Sequence, residues 1–184
     1  VSELIHVKGL SDLQKLLDGL PAKIEQNVLR GALRAGAAVV LDKAKADCPV
    51  GVPNSENVRL YGGYEGALRD SIRLSVRAKG GTVTASIKAG GKSKKTKADV
   101  FYAHIVEYGA AAHLIKPQKG GWLSFLGIFA KSVQHPGIAP KPFLRGALDS
   151  RATAAVVAAA EYMKKRLATK QGLDTSDITI EADA

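Results

Sequence analysis

Large aromatic side chains are scarce here: Phe, Trp and Tyr make up 5% of a chain of 184 residues. Alanine and glycine fill the apolar share instead, which implies closely spaced backbones and few bulky anchors. A single cysteine, Cys48, excludes any intramolecular disulfide, so the fold suits a reducing compartment or is indifferent to redox. No basic segment followed by an apolar run opens the chain, and no signal peptide is expected. No window holds 18 consecutive apolar residues, so no membrane span or membrane partner is expected. The length suits one α+β domain, expected over residues 1–172, with a polar tail over 173–184.

The usual marks of catalysis and cofactor binding are missing as well. There is no phosphate loop of the Walker type and no dinucleotide fingerprint. The four histidines (His6, His104, His113 and His135) form no i,i+4 pair and have no acidic neighbour at ligand spacing, so no metal is expected. Cys48 with His104 or His135 as base would be the candidate nucleophile of a thiol hydrolase. It stands at the end of an expected helix, where the dipole raises a thiol pKa. Asp99 and Glu107 are the carboxylates near the central apolar segments, and neither has an evident second carboxylate for acid–base work. The reading is therefore no enzyme and no cofactor.

Basic charge is plentiful and unevenly placed. The net charge is +10, and residues 61–150 hold 14 basic against 5 acidic groups. Within them Ile72, Leu74, Val76 and Ala78 alternate with polar residues, Gly80-Gly81 follows, and Val83, Ala85, Ile87 and Ala89 alternate again. This predicts a β-hairpin with a two-residue turn. Its register sets Lys79 against Thr82, Val76 against Ala85 and Arg73 against Lys88. Arg73, Arg77, Lys79 and Lys88 then share one face, and Lys92, Lys94, Lys95 and Lys97 follow in a segment expected to be a flexible loop. These eight residues are the candidate contacts to DNA or to an acidic partner. No aromatic lies among them, so contact to the phosphate backbone fits and base readout does not.

Periodicity places the remaining elements. A short strand is expected over Leu4–Lys8, then a helix started by a Ser11–Gln14 capping box. From Pro21 to Asp47 an apolar stripe at helical spacing predicts a long helix, stopped by Pro49. Gly31 and Gly36 inside it imply that another backbone packs close. Pro49–Gly66 reads as a long loop. Phe101–Gly109 suits helix or strand, and His113–Val133 suits strands broken at Lys119–Gly121 and near Gly127. A second long helix runs from Pro142 to Lys170, with Gly172 placed to cap its end. The fold class is α+β: an antiparallel β-sheet packed by two long helices, with long loops.

Several of these segments together resemble one family. VKGLSDLQKLLDGL with the Ala-rich helix after it, GALRDSI (Gly66–Ile72), AHIVEYGAAAH (Ala103–His113) and HPGIAPKPFLRGAL (His135–Leu148) are similar, in order and spacing, to the Hong Kong 97-like phage tail-component (neck) family. The similarity extends over about residues 5–165. Gly146 stands where the family often has proline, and the loops Val50–Tyr64 and Lys92–Lys97 are longer than usual.

The resemblance implies a virion protein of the head–tail junction, assembled in the bacterial host cytoplasm: a neck or tail-completion subunit in a ring of six or twelve copies. Its partners would be the head-side connector or stopper and the tail-side terminator or tube proteins, with non-specific contact to genome DNA in the channel as one use of the basic face. Glu107 and Tyr108, the stiff loop with His135, Pro136, Gly137 and Pro142, and Phe143 are the expected subunit or ring contacts. Two other readings stay open: another minor tail protein of the virion, and a basic non-sequence-specific nucleic-acid-binding module.

Overall fold

The structure, a computed structural model, describes residues 7–52, 55–92, 98–117, 120–125 and 128–182. Strand β1 (Val7–Lys8) leads into helix α1 (Leu10–Asp18) through Gly9, whose φ is +89°. The Ser11–Gln14 capping box does not form: the helix already begins at Leu10, and Gln14 donates to Asp18 at 2.7 Å. The reason is tertiary. A Cβ on Gly9 would stand 2.5 Å from the Thr179 carbonyl oxygen, so the returning C-terminal segment decides where α1 starts.

Helix α2 (Ala22–Asp47) occupies the expected span, with Pro21 as its N-cap; the Pro21 carbonyl accepts from Ile24 and Glu25 at 2.8 and 3.1 Å. The segment expected as one long loop after Pro49 contains helix α3 (Ser55–Tyr61), a correction to the loop reading. A short α4 (Ala67–Ser71) then feeds the hairpin of β2 (Arg73–Lys79) and β3 (Thr82–Lys88). Its register matches the expectation at every pair, from Arg73 opposite Lys88 to Lys79 opposite Thr82. The hairpin lies on α2, and Ile87 joins the core between them.

Strand β4 (Gly91–Lys92) pairs with β5 (Asp99–Val100). Lys94, Lys95 and Lys97 lie outside the described residues. Ala98 is buried beside Val100, so the end of the segment expected as a flexible loop joins the core. Helix α5 (Ala103–Tyr108) settles the open choice at Phe101–Gly109 in favour of helix. Next, β6 (His113–Ile115), β7 (Leu123–Phe125), β8 (Ile128–Ala130) and β9 (Val133–His135) pair outermost with outermost and innermost with innermost. The result, among the described residues, is a nested pair of ladders, called the arm below, rooted at the antiparallel bridge between Ala110 and Ile138. Helix α6 (Phe143–Gln171) ends at Gly172, which takes the left-handed conformation as expected (φ +67°). The chain returns through Ile178, buried beside Leu13 and Leu17, and β10 (Glu181–Ala182) pairs with β1.

The α2–α6 pair is the spine, and its packing explains the glycines in α2. A Cβ on Gly31 would reach the Tyr162 ring at 2.3 Å, and one on Gly36 would stand 2.4 Å from the Ala155 carbonyl oxygen. Val40 and Ala44 meet Ala147 farther along. Rising numbers on α2 meet falling numbers on α6, so the two helices run antiparallel. Small residues let the two backbones approach within the reach of dispersion forces. The fold is mixed α and β, as expected, but its strands form five separate two-stranded ladders among the described residues.

Candidate functional site

Two motifs far apart in sequence close on each other at the N-terminus of α6. That helix starts after Pro142, which offers no side-chain cap. The missing acceptor comes from α5. The two carboxylate oxygens of Glu107 accept the backbone N–H groups of Leu144 and Arg145, both at 2.9 Å. Glu107 is buried, so these bonds satisfy orphan donors of the helix start and set negative charge at the positive end of the dipole. Lys141 N–H donates to the Val106 carbonyl at 2.8 Å, and Ala110 and Ile138 exchange backbone bonds at 2.9 and 2.8 Å.

Glycine is required on both sides of this clasp. Gly109 has φ +75° and ψ −175°, a region glycine alone occupies readily, and a Cβ there would meet the Ile138 oxygen at 2.6 Å. Gly137 (φ +89°) presses against the Ala110 oxygen in the same way, at 2.5 Å. Its N–H donates to His135 Nδ1 at 3.1 Å, while His113 Nδ1 lies 2.9 Å from the Ala111 carbonyl. The two imidazoles stack with centroids 5.0 Å apart at the root of the arm.

The expected contact residues thus come together in space but divide by exposure. Phe143 is fully buried, and Glu107 nearly so. Tyr108 is 69% exposed, Pro136 and Pro142 are exposed, and His135 and Gly137 are half-buried. The basic set behaves differently. Arg73, Arg77, Lys79, Lys88 and Lys92 are all exposed. The cross-strand pair Arg73–Lys88 does not face its repulsion bare, because Arg73 Nη1 donates to the carbonyls of Gly90 and Ser71 at 2.6 and 3.2 Å.

Sequence reasoning missed an aromatic pocket of about 530 Å³ between the loop after α2 and the start of α5. Tyr61, Tyr64, Phe101 and Tyr102 help to line it, and the Tyr61 and Phe101 rings lie 5.1 Å apart. Two tyrosines within a glycine-rich stretch were the only local signal, since Phe101 and Tyr102 arrive from another part of the chain. Behind the pocket wall Cys48 is buried. Burial pushes its thiol up to about 11, with Arg69 opposing, so the helix end is not the main cause. A buried thiol held there stays protonated at neutral pH and is a poor nucleophile. Among the described residues no cluster of three or more His, Cys, Asp or Glu has metal-binding geometry, and no helix is long and apolar enough to cross a membrane.

A family model described as "Bacteriophage HK97-gp10, putative tail-component" matches residues 11–109, more than half of the chain, from α1 to the end of the α5 motif. No curated protein and no solved structure matches.

Proposed function

Since the chain belongs to the bacteriophage HK97-gp10 family of tail components, we propose that it is a neck or tail-completion subunit that forms a ring at the head–tail junction. The observation that carries this reading beyond the family is the clasp. A buried carboxylate and two positive-φ glycines hold an exposed, proline-rich surface in one shape before any partner arrives. A loop already ordered loses little entropy on docking. Tyr108, His135, Pro136, Gly137 and Pro142 would then make the contact between subunits, and Glu107 and Phe143 would hold them in place from below. The role is mechanical and uses no catalysis and no cofactor. The ring would have six or twelve copies, with the head-side connector or stopper on one face and the terminator or tube proteins on the other. Its place would be in the virion, after assembly in the host cytoplasm.

The basic hairpin favours a second use within the same role. Arg77, Lys79, Lys88 and Lys92 are exposed, and with Lys94, Lys95 and Lys97 they would face genome DNA in the channel or an acidic ring neighbour. Electron microscopy of a lysate from a phage carrying a nonsense mutation in this gene tests the main reading. Separate filled heads and separate tails are expected. Normal joined particles would remove it and leave the other two readings, a minor tail protein elsewhere in the virion or a nucleic-acid-binding module.

A further inference from the structure

Two histidines meet at the root of the arm. His113 on β6 and His135 on β9 are direct cross-strand partners, and their ring planes lie 25° apart in the stack. Backbone partners fix the tautomer of each ring, because an N–H can only donate and a carbonyl can only accept. The Gly137 N–H donates to His135 Nδ1 at 3.1 Å, so that nitrogen keeps its lone pair and Nε2 carries the proton. His113 is the reverse. Its Nδ1 lies 2.9 Å from the Ala111 carbonyl, so Nδ1 carries the proton and Nε2 the lone pair. A further proton therefore acts differently on the two rings. On His113 it enters at Nε2 and leaves the bond to Ala111 in place. On His135 it enters at Nδ1, the atom that Gly137 uses. One N–H then faces another and the bond is lost. No backbone carbonyl among the described residues takes the Gly137 N–H instead.

We infer that the pair is a proton-sensitive lock on the loop from His135 to Gly137: the loop keeps its shape while His135 is uncharged and loosens when His135 is protonated. The surroundings offer nothing to offset the new charge. The group that faces His135 from β6 is His113, so protonation of both rings sets like charges against each other across 5.0 Å. Residues Ala110, Ala111 and Ala112, against which Gly137 packs, carry no titratable side chain. The ion pairs among the described residues hold Asp12, Asp47 and Asp70, and none involves a histidine. Solvent reaches the pair, since His113 is exposed and His135 half-buried. Histidine is also the side chain that ordinarily changes charge between about pH 5 and pH 8. The inference deepens the reading of this loop as a subunit contact and rests on that reading for its use: acid would soften a surface that neutral pH holds ready.

Nuclear magnetic resonance of the 15N-labelled full-length protein tests the lock without any partner. Ring nitrogen shifts read the tautomers directly. At about pH 8, His135 is expected as Nε2–H and His113 as Nδ1–H. The Gly137 amide is then followed down to about pH 5. Its shift should move with the His135 titration, and its exchange protection factor should fall about tenfold, the factor that one ordinary hydrogen bond represents. His135→Asn supplies an oxygen that accepts the N–H two residues on and takes no proton. This variant should keep Gly137 protected at both pH values. His135→Phe keeps a ring without an acceptor and should leave Gly137 unprotected at both. The same tautomer on both rings, or equal protection of Gly137 in the parent chain at the two pH values, would overturn the lock. A loss of protection in His135→Asn as large as the parent's overturns it as well. The lysate experiment judges the junction separately: normal joined particles beside a working lock would remove the contact reading and leave the lock.

Discussion

Glu107 shows what one side chain does when it serves an element distant in sequence. Its two bonds to the start of α6 are charge-assisted and buried. Glu107→Ala is expected to cost about 2–4 kcal/mol in urea unfolding, and Glu107→Gln, which keeps one acceptor, about half as much. The glycines of the two long helices separate propensity from packing. Gly36→Ala should gain about 1 kcal/mol of helix propensity and lose more, since backbone oxygen stands where the methyl would go. Gly146→Ala meets nothing within 4 Å and should raise stability by about 0.5–1 kcal/mol. Thermal unfolding of both variants checks the opposite signs. Cys48 provides the pH-dependent case. Its folded value is raised to about 11, so below its ordinary 9.0 both states are protonated and the group leaves stability unchanged. From 9.0 to about 11 only the unfolded chain loses the proton, and stability falls as pH rises. Cys48→Ala should therefore lose less stability than the parent between pH 8 and pH 10.5, as urea titrations at the two pH values would show.

Among the elements, the hairpin was the most legible. Two alternating runs around Gly80-Gly81 specify pairing, face and register with no help from the rest of the chain, and the structure has that register at every pair. The basic face follows from the same alternation. Reversing charge at Arg77, Lys79 and Lys88 is expected to flatten the salt dependence of DNA binding, each lost phosphate contact lowering the slope by about one. Filter binding at several salt concentrations measures it, and an unchanged slope would turn the face toward protein. The long helices were legible for the same reason: apolar periodicity and proline or glycine at their ends are local signals. The start of α1 was not, because the segment around Thr179 selects it from the far end of the chain. Helix α3 was hidden too. A stretch flanked by glycine and proline reads as loop whatever short helix it holds.

For the molecule as a whole, family and class were already visible in the order of motifs, and the match over residues 11–109 shows the family. What those motifs do to one another was not visible. The segments VEYG and HPG with PFLR read as separate signatures, and only in three dimensions does the glutamate of one cap the helix of the other. In the same way strands broken at Lys119–Gly121 and near Gly127 were expected over His113–Val133, but not that they pair as two nested ladders. Sequence by itself determined whatever repeats at the period of a helix or strand, or is punctuated by proline and glycine: the two long helices, the hairpin with its basic face, the motif order. The tertiary structure alone decided the rest, namely the cap of α6, the start of α1, the aromatic pocket and the stacking of His113 on His135. Each of these depends on a contact between residues distant along the chain, and local conformational preference carries no information about which distant residue will arrive.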